Sequence, residues 1–416
     1  MQFGKVCRGL FGLLAVLLLG GPALAADAIK IGYLDPLSGP FANVGEHGAR
    51  EMLLVIEAVN AGGGVLGGTK FELDTFDTKS SPQEALISLK QMTDKGIRYF
   101  FMGNGSNVAI ALSDAVSKHN ARNPDQSIMF LNYGAVDPSL TNDKCSFWHF
   151  RFDADTDMKM QALTNYMAKQ KSIKKVYLIN QDYAFGQGVS KAAKAMLAQK
   201  RPDVEIVGDD LHPVGKVKDF APYVSKIKAS GANSVITGNW GNDLSLLVKA
   251  VKESGLKADL FTYYSGIVGG PTAIGQAGED IRQVSMWHTN YGGKDSDALT
   301  EGYRKRFPDV KDDFFFLSLK NGVEMLAKAM NQAKSTDPAK VAKALEGMKH
   351  QGIAGEVEMR ADNHQLVQPL FISSFVKAGS KGVKYDVERT GMGFKTEGRI
   401  EAKDTALPTT CKMERP

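Results

Sequence analysis

An α/β architecture of two doubly wound parallel sheets is what this chain predicts, and three observations carry that prediction. Short β-branched or aromatic runs alternate with amphipathic stretches of helical spacing. The alternation proceeds to about residue 131, then restarts near residue 156. Beyond its first 25 residues the chain keeps about 390, too many for one ordinary core and ample for two.

The elements follow in order. Residues 29–33 (IKIGY) read as a buried strand. Residues 45–60 carry Met52, Leu53, Ile56 and Val59 at helical spacing. Residues 71–74 form a second strand, and Ser81-Pro82-Gln83-Glu84 opens a helix with a capping residue and a proline in its first turn. Residues 99–102 are a third strand, with a helix beginning near Asn107, and residues 128–131 are a fourth. In the second run Thr156 is expected to cap a helix carrying Met160, Leu163 and Met167. Strand 176–179, helix 186–199 and strand 205–207 follow. Asp219 is expected to cap a helix carrying Phe220, Val224 and Ile227, before strand 235–237, helix 242–253 and strand 260–263. After residue 290 the order changes. Residues 298–307, 314–333 and 338–348 read as consecutive helices, and the stretch from Gly355 is rich in strands, at 356–359, 370–372 and 375–376.

The N-terminus supplies an address. Lys5 and Arg8 precede an apolar run at 10–19, Pro22 follows, and Ala23-Leu24-Ala25 has the small-x-small pattern that signal peptidase accepts. Residues 1–25 are therefore expected to be a secretory signal, too short to span a membrane. With no cysteine at the cleavage point a lipid anchor is not expected, and the mature chain is expected to begin at Ala26 or Asp27 and to work outside the cytoplasm. The hydrophobic fraction of 43% and charged fraction of 23% are those of a soluble globular protein. Of the formal charge of +5, Lys5 and Arg8 supply two, and the remaining basic residues are scattered singly. That argues against a nucleic-acid or anionic-membrane surface. Cys7 lies in the expected signal, which leaves Cys145 and Cys411. In an oxidising compartment they are expected to pair as a disulfide, tying the C-terminal tail to the middle of the chain. Two separate buried thiols are the alternative, and without matching histidines the two make a poor zinc site.

In an open parallel sheet, ligands bind beyond the carboxyl ends of the strands. The residues just after the first strand are Leu37 to Gly45. After the third come Gly103-Asn104-Gly105-Ser106-Asn107, directly at a helix start, and after the fourth Asn132-Tyr133-Gly134-Ala135-Val136. The second run offers Asp182-Tyr183-Ala184-Phe185-Gly186, Gly238-Asn239-Trp240-Gly241-Asn242 and Tyr263-Tyr264-Ser265-Gly266. The first group places small polar residues and backbone amides at a helix N-terminus, which suits a carboxylate. The second offers aromatic surface from Tyr183, Phe185, Trp240 and Tyr264. A cleft with these two walls suits a small acid with an apolar body. Two readings fit Ser106, a ligand contact or a simple helix cap. Phe185 fits the core or the cleft, and Trp240 among glycines and asparagines favours the cleft.

The segments Asp35-Pro36-Leu37-Ser38-Gly39-Pro40, Asp182-Tyr183-Ala184-Phe185-Gly186-Gln187-Gly188 and Lys218-Asp219-Phe220-Ala221-Pro222, with Ile227-Lys228-Ala229-Ser230-Gly231-Ala232, resemble the leucine/isoleucine/valine-type periplasmic binding proteins, the solute receptors of ABC importers. The resemblance spans essentially the whole mature chain. It implies a type I periplasmic binding protein fold, two lobes joined by a three-strand hinge. The N-terminal lobe would be 26–151 plus 289–357 and the C-terminal lobe 152–288 plus 358–405, with a tail at 406–416. It implies a monomeric periplasmic receptor that delivers a small carboxylate-bearing ligand to an inner-membrane ABC permease, with no cofactor, metal or nucleic acid. The family serine that holds the ligand carboxylate falls on Ser106, its backbone contacts on Gly134 and Ala135, and its aromatic cleft positions on Phe185 and Trp240. Asn104, Asn107, Val136, Tyr183, Tyr264 and Ser265 complete the expected ligand set. The chain also departs from the family. Val136 stands where the amino-acid receptors carry threonine, and Ser265 where they carry the glutamate that meets the ligand ammonium. The N-lobe disulfide positions hold Ser80 and Gly105. An ammonium would lack its anionic partner. An apolar or aromatic carboxylate without an α-ammonium therefore fits as well as a branched-chain amino acid, or better.

An enzyme is not expected. The chain has no Gly-x-Ser-x-Gly elbow and no His-Glu-x-x-His motif, and its histidines, at 47, 119, 149, 212, 288, 350 and 364, do not pair at metal spacing. His47 and His288 lie near the expected cleft and crossover but suit solvated or core roles. Gly103-x-Gly105 lacks the third glycine of a dinucleotide loop. A sensor of the same fold that presents its solute to a chemoreceptor is the remaining alternative.

Overall fold

The computed structural model describes Met1, residues 28–275 and residues 281–416. The expected signal peptide, beyond Met1, lies outside the described residues. The first sheet runs in the order β2-β1-β3-β4-β5, with β1 Ile29–Asp35, β2 Phe71–Asp77, β3 Tyr99–Met102, β4 Met129–Asn132 and β5 His149–Arg151. Every neighbouring pair is parallel. Helices α1 (Ala42–Ala61), α2 (Pro82–Asp94) and α3 (Ser106–Arg122) make the crossovers. β3 and β4 are buried at every residue, as parallel strands covered on both faces must be. α2 shows why these helices sit where they do. Pro82 opens it, and Ala85, Ser88, Leu89 and Met92 form the buried stripe.

The second sheet is built from β6 Lys175–Gln181, β7 Glu205–His212, β8 Ser234–Thr237, β9 Asp259–Thr262 and β10 Ile281–Ser285. Helices α4 (Thr156–Met167), α5 (Ala184–Lys200), α6 (Ala221–Ala229), α7 (Gly241–Ser254) and α8 (Gly270–Ile274) accompany it. The chain then adds α9 (Lys294–Arg306), α10 (Leu317–Ala333) and α11 (Pro338–Leu345), with α1 packed on α9 and α10 beside the first sheet. A small antiparallel sheet follows, of β11 Lys349–Gly352, β12 Gly355–Met359 and β13 Leu366–Val367. Finally β14 Leu370–Lys377 and β15 Met392–Ile400 join the second sheet, in the order β15-β14-β10-β9-β8-β6-β7, before a short α12 (Ala402–Thr405).

The second sheet is parallel from β7 to β10 and mixed at its edge. β14 runs antiparallel to β10 and to β15, and a loop rather than a crossover helix joins β14 to β15. Sequence periodicity also misses β10, β11, β13, the three-residue β5, and β15, whose outer half is mostly polar and half-exposed to fully exposed. Several helix starts move as well, and for three of them the side chain responsible is visible. Asp155, not Thr156, caps α4, its side chain accepting from the Met158 amide, while Thr156 Oγ1 donates to Val136 O at 2.8 Å. Asp219 accepts from the Ala221 amide and leaves Phe220 outside α6. α10 begins at Leu317 rather than Phe314, because the Glu51 carboxylate takes the amides of Phe315 (2.5 Å) and Phe316 (3.0 Å).

The chain passes between the two large sheets at 152–155, at 286–293 and, after the small sheet, through the segment 360–369 that contains β13. The first and third are locked together by Arg151, which is fully buried. Its Nε donates to Gln365 Oε1 at 2.6 Å, one terminal nitrogen to Asp137 O at 2.5 Å, and the other to Thr141 Oγ1 and to Asp155 Oδ2 at 3.1 Å. Gln365 and Gln368 in turn donate to the carbonyls of Asp153 and Phe152. Cys145 and Cys411 form the expected disulfide, and Thr409 Oγ1 donates to Thr141 O at 2.9 Å beside it. No helix among the described residues is long and apolar enough to cross a membrane.

Candidate functional site

The carboxyl ends of both sheets face one another across a narrow cavity of about 20 Å³, little more than the room one water needs. One wall comes from the loops after β3 and β4: Gly103, Asn104, Gly105, Ser106, Gly134, Ala135 and Val136, with Phe316 from the segment before α10. The other comes from the second sheet: Tyr183, Phe185, Trp240, Tyr264 and Ile267.

The first wall is held in place by Asp35 at the end of β1. Its carboxylate accepts from the Asn104 amide at 2.9 Å, from the Gly103 amide at 3.3 Å and from Tyr133 Oη at 2.5 Å. Tyr133 Oη lies 2.8 Å from Tyr33 Oη and accepts from Asn104 Nδ2 at 3.0 Å. Gly103 must be glycine, since a Cβ there would stand 2.6 Å from the Tyr133 ring. The loop delivers Ser106 as the first residue of α3. The first α-helical bond there runs from the Ala109 amide to Gly105 O, so the preceding amides have no helical acceptor. Ser106 is buried, but Gly105 occupies the cap position and no side chain caps the helix. The simple-cap reading of Ser106 is therefore not what the geometry contains.

Burial pushes the Asp35 carboxyl up from its ordinary 3.8 to about 6, against the hydrogen bonds from Tyr133 and the Asn104 and Gly103 amides. The folded state thus holds this proton more tightly than the unfolded chain. The Asp35 contribution favours folding below about pH 4 and is lost as pH rises through about 6. Asp35→Asn, which resembles the protonated side chain, should lack that dependence. Between pH 4 and pH 7, wild type should lose roughly 2–3 kcal/mol relative to the variant in urea unfolding. A difference that does not change with pH would contradict the assignment.

The second wall is aromatic. Trp240 Nε1 donates to Tyr183 Oη at 2.7 Å, and Phe185 packs edge-on against Tyr263 and Tyr264, at 5.6 and 5.8 Å between centroids. Behind Tyr264 lies a buried ion pair, Lys159 Nζ to Asp153 Oδ2 at 2.7 Å. The ammonium also donates to Tyr264 Oη at 3.1 Å and sits 4.5 Å from its ring centroid. Burial holds the Lys159 ammonium below its ordinary range and the Asp153 carboxyl above it. The Tyr264 hydroxyl is thereby engaged by the pair, and its ring lines the cavity. None of the described residues lining the cavity carries a charge.

Most of the expected set meets here, with three differences. Asn107 lines the outer mouth of the cleft rather than the inner cavity. Ser265 is buried outside the lining, with Oγ 3.4 Å from Gln283 Oε1. The amides of Gly134 and Ala135 lie on the wall but are already taken by Asn132 Oδ1, at 3.1 and 2.8 Å, in a side-chain turn. Sequence reading missed Ile267, Phe316 and Asp35. For Phe316 a signal existed, because three consecutive phenylalanines at 314–316 cannot share one face of a helix. His47 and His288 are both buried, and neither lines the cavity. His47 pairs with Glu51 at 3.0 Å, while burial takes His288 down to about 3.

Two α/β lobes, three crossovers and a cavity between strand ends define a two-lobed ligand receptor. The sequence matches the family described as periplasmic binding protein over residues 28–381, and the chain belongs to that family. It is 31% identical over 422 residues to Leu/Ile/Val-binding protein homolog 4 of Brucella melitensis, covering 100% of this chain and 98% of the relative. Its fold is similar to that of the leucine-, isoleucine-, valine-, threonine- and alanine-binding protein of Brucella ovis in its closed conformation. That match has a TM-score of 0.83 and 28% identity, over 94% of this chain and 100% of the other. It is also similar to a solute binding protein of an ABC transporter from R. palustris in complex with 4-hydroxybenzoate, with a TM-score of 0.76 and 20% identity, over 90% and 97%.

Proposed function

We propose that this chain is an extracytoplasmic solute receptor that captures a small monocarboxylate with an apolar or aromatic body and delivers it to an ABC importer by lobe closure. The observation that carries the reading is the uncharged cavity with amides of the α3 N-terminus and Ser106 on one wall and aromatic rings on the other. A carboxylate gains from unpaired amides and the helix dipole. A ring or branched alkyl body gains from the aromatic wall. An α-ammonium finds no carboxylate among the described residues of the lining, which favours an acid over a zwitterion. The names of the relatives keep a branched-chain amino acid as the second reading. In this reading the mature chain starts near Ala26 and works as a periplasmic monomer. Its lobes are 26–151 plus 289–357 and 152–288 plus 358–405, with the tail at 406–416.

The test is a thermal-shift screen of the mature protein against leucine, benzoate, 4-hydroxybenzoate and short-chain acids, since a ligand that binds only the folded state raises its melting temperature. Aromatic or apolar acids should shift it and leucine should do so weakly or not at all. Calorimetry with the best acid should then show Ser106→Ala weakening binding by about 1–3 kcal/mol, through the lost hydrogen bond to a charged group. Unchanged affinity would remove Ser106 from the site, and tight leucine binding would overturn the choice of acid.

A further inference from the structure

One contact across the cleft joins a wall residue to a side chain outside the cavity. Phe41, just before α1 on the first lobe, is buried, and its ring lies 4.3 Å from that of Trp240 on the second lobe. It enters a slot that the second lobe leaves open by having glycines there. A Cβ on Gly241 would stand 2.9 Å from the Phe41 ring, and one on Gly215 would stand 3.2 Å from it. Both sides of the slot are braced. The Gly215 amide donates to Asp243 Oδ2 at 2.8 Å, and Asp243 also accepts from Gln181 Nε2. On the first lobe Asp77 accepts from the Leu37 amide at 2.8 Å and from Ser38 Oγ at 2.6 Å, which fixes the arm that carries Phe41.

We propose that Phe41 is the latch of the closed receptor, a positioning residue that holds Trp240 over the cavity and sets how long a ligand stays. The proposal rests on the reading of this cavity as the ligand site. Phe41 meets its slot only when the lobes are together, so its contact energy counts in the closed state and not in the open one. A group of that kind changes the release rate far more than the capture rate. Lobe closure itself follows from the fold. What the geometry adds is the residue that secures it.

The experiment compares wild type, Phe41→Ala and Phe41→Leu as mature chains, each first checked for a cooperative melt. Stopped-flow tryptophan fluorescence with 4-hydroxybenzoate and, in parallel, leucine as probes should show release at least ten-fold faster in Phe41→Ala, capture within three-fold of wild type, and partial recovery in Phe41→Leu. A second arm without ligand measures acrylamide quenching, to which Trp240 contributes only when uncovered, and quenching should rise in Phe41→Ala. Equal release and equal quenching in wild type and Phe41→Ala would overturn the latch. Failure of wild type to bind either probe would count against the proposed ligand class, while the quenching arm would still decide the latch.

Discussion

Trp240→Ala is expected to cost at least a hundred-fold in affinity for the acid that binds best, about 3 kcal/mol. Three contacts end at this side chain: a share of the cavity wall, the hydrogen bond to Tyr183 Oη at 2.7 Å, and the tilted ring contact with Phe41 at 4.3 Å. Truncation removes the ring face presented to the ligand and leaves the Tyr183 hydroxyl without its donor. It also leaves a void beside Phe41, and a residual cavity adds to the transfer cost. Trp240→Phe should recover part of the loss, because it keeps an aromatic face and forfeits the indole N–H. Calorimetry on both variants checks this. Affinity within three-fold of wild type for Trp240→Ala would show that the ring is core and not site.

Arg151→Met should lower stability by about 3–5 kcal/mol, because removing one member of a buried ionic network strands the others. Asp155 would lose its cation, and Thr141 Oγ1 and Gln365 Oε1, both buried, and the partly buried Asp137 O would each lose a donor. Gln365 lies 214 residues away in the chain, so the damage falls on the joint between two crossovers. Arg151→Lys should rescue little, since an ammonium cannot serve four acceptors spread around a planar fork. Urea unfolding followed by far-UV dichroism measures it. A midpoint unchanged from wild type would mean that the crossovers are held by packing alone.

Much of the site was legible before any coordinates. Ser106 sits at the start of a helix directly after a strand, and Trp240 at the equivalent place in the second run, because a strand–turn–helix unit puts those residues at the carboxyl edge of its sheet. The pairing of Cys145 with Cys411 followed from compartment and number. What escaped was whatever depended on a partner distant in sequence. The start of α10 moved by three residues because Glu51, on α1, captured two amides. The Gly134 and Ala135 amides were spent on Asn132. Ser265 stood at a family ligand position and proved to lie beside Gln283.

The sequence by itself therefore determined the alternation of strands and helices, the two lobes and the edge on which the functional loops lie, because these follow from periodicity and local backbone geometry. Only the tertiary structure decided which loops face one another, that Asp35 braces the anion wall, that Lys159 and Asp153 are hidden behind Tyr264, and that Phe41 reaches Trp240. Those outcomes depend on long-range packing and on the desolvation of particular groups, and neither leaves a periodic trace along the chain.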